Sequence, residues 1–488
     1  MGVSRNLTNN FIEQKLGSIN NTYRLKFHMS PRVGWMNDPN GLVYFNGEYH
    51  LYYQAYPYRT KPGQMMWGHF VSEDLIKFED KGIALALDNL GENAYSGGAL
   101  VENNLLHIYY TLHTEKHPQL IRYDGDVFEP DEVLTEEENE KRKTAPHPIE
   151  GKDIKEEDIY HYISIDGEAL EKGELVFDNE TLPPNISRTD FRDPCPVKIK
   201  DMYYIFVGGK DITTNKGVII VLKSDRLNHF EYAFTIGPFY ELGDMAECPS
   251  YYRVGNKDVI VVSGCNTCRK DNDFRNINCS LFIVGDLNFI EGYMKVDFIK
   301  EIDKGDSFYA PQFIRGADRP IIVGWMEMWG KNYPTSKWHH GYVGAFSIPR
   351  ELYIKDNDIY QRPIKELTNH LGEIQTNWDK SLKEASICLL MKNNSSITFS
   401  GDNGEIVIGN DDNGVFLDTS KSNNMFECIR RTNNRYPEAK LQILLDTSSV
   451  EVFVGDGKEA ITSRFYIDGE IKITTMGEIK DLEIRRVS

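Results

Sequence analysis

Between residues 1 and 350 the apolar and polar positions repeat one unit five times: an apolar strand, a short polar turn and a second apolar strand. The copies run from Leu42 to Gln54 about Asn46-Gly47, from Ala99 to Leu112 about Asn103-Asn104, and from Pro196 to Gly208 about Lys200-Asp201. Two more run from Ser250 to Gly264 about Gly255-Asn256 and from Gln312 to Met326 about Gly316. Asn-Gly between Leu-Val-Tyr-Phe and Tyr-His-Leu-Tyr-Tyr is a strong hairpin signal, because both turn residues tolerate positive φ. Five such units in series predict radial repetition, the arrangement by which a β-propeller avoids exposed sheet edges. The expected fold is therefore all-β, with a five-bladed β-propeller over residues 1–360. Pro363 and the apolar spacing of Ile364, Leu367 and Leu371, stopped by Gly372, predict a linker helix within residues 361–375. Within 376–488, Ser396 to Gly409, Leu441 to Val454 and Phe465 to Thr475 alternate again, with Asp468-Gly469 turning the last pair. A β-sandwich is expected there.

A polar or small motif stands just ahead of the first strand of each copy. In order these are Asn37-Asp38-Pro39, Ser96-Gly97-Gly98, Arg192-Asp193-Pro194, Glu247-Cys248-Pro249 and Phe308-Tyr309-Ala310-Pro311. Equivalent positions in successive blades lie on one ring, so the propeller reading gathers all five at one mouth of a central channel. Neighbouring motifs lie 54 to 62 positions apart, except Ser96 and Asp193, which are 97 apart. That excess coincides with the charged stretch Asp124 to Asp158, whose Glu136-Glu137-Glu138 and few apolar residues predict a solvated surface loop. The alternative is a rim element that shapes the substrate entrance or an oligomer contact.

Composition narrows the picture. The 488 residues are too many for one ordinary core, and 40% hydrophobic with 12% aromatic residues suits a folded globular chain. A net charge of −19 disfavours nucleic acid and anionic membrane surfaces as partners. Met1 to Gly17 holds no apolar signal core, and no apolar run is long enough to span a bilayer. Seven cysteines without a signal peptide read as thiols, and Cys265-x-x-Cys268 with Cys279 lacks the companions of a zinc site. A cytoplasmic protein with no metal is the simplest expectation. The acidic stretch and the C-terminal β region are candidate contact surfaces for a homo-oligomer.

Taken singly, Asn37 to Gly41 is turn chemistry, Arg192-Asp193-Pro194 a strand entrance, and Glu247 a carboxylate beside a proline. Brought to one mouth beside Trp35-Met36 and Trp67, three carboxylates would repel one another and lose hydration. Stability does not favour that arrangement, so function is the better explanation. Glycoside hydrolysis needs such a set: one carboxylate at the anomeric carbon, and a carboxyl kept protonated by burial and neighbouring charge to protonate the leaving oxygen. No Ser/His/Asp order, phosphate-binding loop or dinucleotide fingerprint competes with this reading.

Several ordered motifs then resemble those of glycoside hydrolase family 32. They are Trp35-Met36-Asn37-Asp38-Pro39-Asn40-Gly41, Tyr53-Gln54, Trp67-Gly68-His69, Phe191-Arg192-Asp193-Pro194 and Glu247-Cys248-Pro249. The likeness continues through Phe308 to Gln312, Gly324-Trp325-Met326, Tyr333-Pro334-Thr335, Pro349-Arg350-Glu351-Leu352 and Val450-Glu451-Val452-Phe453. The resemblance implies a propeller plus a sandwich, with Asp38 as nucleophile, Glu247 as acid/base and Asp193 as transition-state stabiliser beside Arg192. It also implies that Asn37, Gln54, Trp67, Ser96 and Gly97 bind the fructosyl ring, and makes Trp35, Tyr309 and Trp329 candidates for an aromatic wall. Retention of configuration would place the Asp38 and Glu247 carboxyls about 5–5.5 Å apart. Gly98, Ser307 and Tyr342 depart from the family pattern, which bears on the leaving-group side.

The expected activity is release of terminal β-fructofuranosyl units from sucrose, sucrose 6-phosphate or short fructo-oligosaccharides, with no cofactor. Arg32, Arg59, Lys61 and Lys337 are the basic residues available for a phosphorylated substrate. The alternatives are an exo-acting fructanase, a fructosyltransferase, or a non-catalytic fructan-binding protein that would have lost a carboxylate.

Overall fold

The computed structural model describes residues 4–89, 91–115, 155–376, 383–422 and 429–488. The chain is all-β, and five antiparallel sheets follow one another along its first 363 residues. The first contains Gly34–Phe45, Glu48–Tyr56, Met66–Ser72 and Glu79–Leu85. The second contains Glu92–Glu102, Leu105–Glu115, Lys155–Ser164 and Glu174–Phe177. Ile186–Ile199 opens the third, Met245–Val254 the fourth and Tyr309–Phe313 the fifth. Asn46 and Gly47 take φ of 52° and 92°, as do Asn103 and Asn104 at 54° and 60°, so both expected turns form tight hairpins.

The opening strands of successive sheets pack side by side, and the fifth packs against the first. Two elements tie that last pair. Arg315 N–H donates to Leu42 O at 2.8 Å while Tyr44 N–H donates to Arg315 O at 2.7 Å, and Tyr342–Val343 adds to the first sheet in parallel beside Gly34-Trp35. Met66–Ser72 is buried at every position because its two faces feed different cores: Met66 and Phe70 pack with Phe346, Trp67 with Tyr110 and Leu112. That double burial explains why these strands read as nearly continuous apolar runs.

Beyond residue 383, two five-stranded sheets share one core. Ile387, Leu389, Ile443 and Val452 come from one sheet, and Ile397, Phe399, Ile408 and Leu417 from the other. Asp468-Gly469 does not turn a hairpin. Glu459–Arg464 lies in the first of these sheets and Lys472–Met476 in the second, so the turn carries the chain between sheets. The linker helix expected at 361–375 is also shorter. Gln361, Arg362 and Pro363 still pair with Leu352, Glu351 and Arg350, and only Lys365–His370 forms a 3₁₀ turn. A helix at Arg5–Lys15, capped by Ser4, was not expected, because only Thr8 and Ile12 are buried and the apolar stripe is short. Most of the charged stretch 124–158 lies outside the described residues, but its end does not. Glu157 and Asp158 belong to Lys155–Ser164, where Glu157 is buried.

Candidate functional site

The five motifs lie inside the opening strands, each at a break in the ladder. In Gly34–Phe45 the register shifts between Met36 and Pro39, and in Glu92–Glu102 between Ala94 and Gly97. In Ile186–Ile199 the matched partners jump from Arg192 to Cys195. In the fourth and fifth sheets they jump from Glu247 to Ser250 and from Tyr309 to Gln312. A bulge bends the strand and re-aims side chains that regular alternation would send into the sheet packing. Three of the bulges hold a non-glycine residue at positive φ just before a proline: Asp193 at 68°, Cys248 at 48° and Ala310 at 49°. Each costs on the order of 1–3 kcal/mol, a strain kept where it positions functional groups.

The aimed side chains meet at a cavity of about 270 Å³. Asn37, Asp38, Gln54, Ser96, Arg192, Asp193, Glu247 and Trp329, all expected from the sequence, line it. Trp35, Trp67, Gly97 and Tyr309 do not line it but stand behind its wall. Trp35 donates from Nε1 to Asn37 Oδ1 at 2.7 Å and stacks on Trp329 at 5.6 Å, while Trp67 donates from Nε1 to Tyr95 O at 3.1 Å. Gly97 lies so close to Tyr109 O and the Tyr110 backbone that a β-carbon there would collide. Tyr309 donates its hydroxyl to Glu247 Oε2 at 2.5 Å.

The three carboxylates are cross-linked. Ser96 Oγ donates to Asp38 Oδ2 at 2.9 Å. Cys248 N–H donates to Asp193 Oδ2 at 2.9 Å, and its thiol lies 3.4 Å from the same oxygen and 3.7 Å from Asp38 Oδ2. Arg192 Nη2 pairs with Glu247 Oε1 at 2.7 Å. Asp38 Oδ1 is buried and receives no well-formed hydrogen bond, although the Asn37 amide stands beside it. Burial, then the charge of Glu247, push Asp38 up to about 6. Burial also pushes Asp193 up to about 7; Glu247 and Asp38 add to this, and Arg192 opposes it. Burial acts on Glu247 in the same sense, but Arg192 and Tyr309 outweigh it and hold that carboxyl below its ordinary value. This overturns the expectation that Glu247 is raised by burial and like charge: its opposite-charge partner wins.

Tyr95, His113 and Glu157 also line the cavity and were not anticipated. His113 and Glu157 are direct cross-strand partners, and Tyr95 stacks on His113 at 4.3 Å. The signal was weak: a His ahead of a charged stretch and a Glu near that stretch's end. Arg32 pairs with Glu13 and Asp80, so it is not available for an anion at the cavity. The three departures from the family pattern also lie off the cavity lining. A β-carbon on Gly98 would meet Pro196 Cδ at 2.7 Å, Ser307 Oγ accepts from Lys331 Nζ at 2.7 Å, and Tyr342 sits under the Arg24 guanidinium at 4.1 Å. Among the described residues no cluster of three His, Cys, Asp or Glu is placed to hold a metal.

The family model for the glycosyl hydrolases family 32 N-terminal domain matches residues 28–363, and that for the family 32 C-terminal domain matches residues 355–485. The sucrose-6-phosphate hydrolase of Vibrio alginolyticus is 30% identical over 92% of this chain and 88% of its own length. The raffinose invertase of Escherichia coli is 28% identical over 91% of this chain and 90% of its own length. Among solved structures, the family 32 β-fructofuranosidase of Bombyx mori superposes with a TM-score of 0.80 at 26% identity, covering 99% of this chain and 98% of that one. With both domain models matched in order, the chain belongs to glycosyl hydrolase family 32.

Proposed function

We propose that the protein is a retaining β-fructofuranosidase whose nucleophile is Asp38, whose acid/base is Glu247 and whose transition-state stabiliser is Asp193. The observation that carries this reading is the convergence of three carboxylates from three separate sheets on one cavity. At about 270 Å³ that cavity suits a single sugar ring, with the leaving group at its mouth. Asp38 attacks the anomeric carbon through a carboxylate whose Oδ2 is held by Ser96 and whose Oδ1 remains unfilled. Asp193 places a second negative charge beside the developing oxocarbenium ion, where it acts without reorganising. Glu247 protonates the departing oxygen, then activates water to release fructose.

The proton balance follows from the environments. Near neutral pH the cluster holds its proton chiefly on Asp193, while Arg192 favours the ionised form of Glu247. A sugar filling the cavity excludes water from Glu247 and donates hydroxyl hydrogen bonds to the aspartates, which moves the proton toward the leaving group.

The proposed scaffold is a five-bladed propeller over residues 1–360 and a sandwich over 376–488. Support comes from the five successive sheets, the packing of the fifth on the first and the shared core of the last two. For the aglycone, relatives named sucrose-6-phosphate hydrolase favour a phosphorylated sugar. The rim fits that choice. Thr60 and Ser336 hydrogen-bond at 2.7 Å, joining the segment with Arg59 and Lys61, next to cavity-lining Pro62 and Gly63, to the short helix ending at Lys337. The buried free thiols Cys195, Cys248, Cys265 and Cys279 suit a reducing, cytoplasmic compartment. Fructose release from sucrose, sucrose 6-phosphate, inulin and levan, measured side by side for wild type and Asp38→Asn, tests the whole reading. Equal rates in the two proteins would remove Asp38 from its role. A preference for the polymers would replace the phosphorylated disaccharide with a fructan.

A further inference from the structure

Glu157 lines the cavity and belongs to none of the family motifs in the sequence. Its side chain is 2% exposed. Oε2 accepts from Phe191 N–H at 3.1 Å, Oε1 lies 3.1 Å from His113 Nδ1, and Arg192 Nη1 lies 3.3 Å from Oε2 and 3.4 Å from Oε1. Arg192 therefore spans two carboxylates, with Nη1 toward Glu157 and Nη2 with Nε toward Glu247. One guanidinium charge is divided between them.

We propose that Glu157 is a positioning residue for Glu247: by holding one arm of Arg192, it limits how strongly that arginine binds Glu247 and leaves the Glu247 carboxyl able to carry the proton. This rests on the assignment of Glu247 as acid/base. The other groups facing Glu247 are Tyr309, Cys265, Cys248, Asp193 and Asp38, while Glu157 is faced by Arg192 and His113. Among these, only Arg192 carries a fixed positive charge, so its partition sets the balance. Neutralising Glu157 removes a nearby negative charge and frees Arg192 for Glu247. Both effects favour ionised Glu247 and deplete its proton-donating form.

The test is Glu157→Gln, read with two substrates. Sucrose has a poor leaving group that needs protonation, whereas an aryl β-fructofuranoside releasing nitrophenolate does not. We expect sucrose turnover at pH 7 to fall about tenfold, and one limb of its pH profile to move about one unit toward acid. Turnover of the aryl substrate should stay within about twofold of wild type, and Glu157→Asp, which keeps the charge, should restore the sucrose profile. Equal losses on both substrates with no moved limb would mean a merely structural role and overturn the proposal. If Glu157→Gln does not fold, His113→Gln is read in its place. That variant leaves the Glu157 carboxylate to Arg192, so the limb should move the opposite way, and an unmoved limb in the folded protein again overturns the proposal. Glu247→Gln separates this from the parent assignment. If that variant fails to spare the aryl substrate's first step relative to sucrose, the acid/base assignment itself falls. If it does spare that step while Glu157→Gln leaves the profile unmoved, only the positioning role falls.

Discussion

Two of the buried charge clusters among the described residues differ in character, and the cavity one is less completely removed from water. At the cavity, Asp38, Asp193, Glu247 and Glu157 gather around the guanidinium of Arg192, which pairs directly with only Glu247 and Glu157, and His113 stands beside Glu157. Between the fifth sheet and the C-terminal sheets, Asp303, Asp446 and Glu451 meet Arg350 and His28, all with fully buried side chains. There every carboxylate oxygen is filled. Arg350 donates to Glu451 Oε2 at 2.5 Å and Asp303 Oδ2 at 2.8 Å, while His28 reaches Asp446 at 2.8 Å and Glu451 at 2.9 Å. Backbone N–H groups of Ile348, Thr462, Lys26 and Phe27 fill the rest. Burial raises carboxylates in both places. At the cavity Arg192 overcomes it for Glu247 and Glu157 but not for Asp38 and Asp193. In the second cluster His28 and Arg350 overcome it, so Asp446 and Glu451 end below their ordinary values. Burial also lowers His28, yet its two carboxylates carry it up to about 9. Burial alone therefore does not decide the sign of a shift; the supply of partners does. One cluster holds the two parts of the chain together, and the other is kept short of partners so that its oxygens can act.

The largest effect should come from the poorly supplied cluster. Asp38→Asn keeps the Ser96 hydrogen bond within reach but cannot form a covalent intermediate, so fructose release should fall at least about 10⁴-fold. Initial-rate assays on sucrose and sucrose 6-phosphate, at enzyme concentrations high enough to see the residue of activity, check this. A loss under tenfold would mean that this aspartate is not the nucleophile.

The converse belongs to the balanced cluster. Arg350→Met leaves Glu451 and Asp303 buried without their main partner, and should cost about 3–5 kcal/mol of stability. Urea unfolding measures it, while turnover per folded molecule should change little, because Arg350 stands apart from the cavity lining. A variant as stable as wild type would show that the filled cluster contributes nothing to holding the parts together.

How much of this contrast the sequence carried differs between the clusters. The cavity carboxylates were legible because each sits in a short motif and the hairpins repeat around Asn46-Gly47, Asn103-Asn104 and their successors. The bulges were not legible: positive φ at Asp193 and Cys248 is set by the ladder on either side, not by local preference. Glu157 was hidden because it ends a charged stretch read as solvated, and its partner His113 lies 44 positions away. Arg350 and Glu451 each stood in a recognisable motif, yet they are 101 positions apart, and nothing local says that they meet. The same distance effect misassigned Asp468-Gly469, whose flanking strands alternate well but belong to different sheets.

Titration should separate Asp38 from the carboxylates of the filled cluster by sign. Asp38 has a folded pKa of about 6 against an ordinary 3.8, so its contribution to stability is fully present below about pH 4 and lost as pH rises through 6. Asp446 and Glu451, held low, contribute stability above their ordinary values that disappears only as acid protonates them in the folded state. Comparing unfolding free energies of wild type and Asp38→Asn from pH 4 to 8 isolates the first term. The variant should gain on wild type by on the order of 3 kcal/mol across that range. Parallel curves would mean that Asp38 is not strained by its surroundings.

The smallest effect concerns how tightly the cavity wall is set. Gly98 packs against the third sheet's motif: a β-carbon there would lie 2.7 Å from Pro196 Cδ and 3.0 Å from Pro194 O. A serine at this position has to push the Asp193-Pro194 bulge outward, since neither a proline ring nor a backbone carbonyl can turn aside. Overpacking of this kind costs about 1–3 kcal/mol, and a displaced stabilising carboxylate loses more in the transition state than in substrate binding. Gly98→Ser should therefore lower kcat by about tenfold or less, leave KM nearly unchanged and lower the thermal midpoint by a few degrees. The same substitution has no path to the Arg350 cluster, so pairing it with Arg350→Met should give additive losses of stability. Additivity would mean that the two clusters are independent, whereas a coupling above about 1 kcal/mol would mean that the filled one also sets the geometry of the starved one.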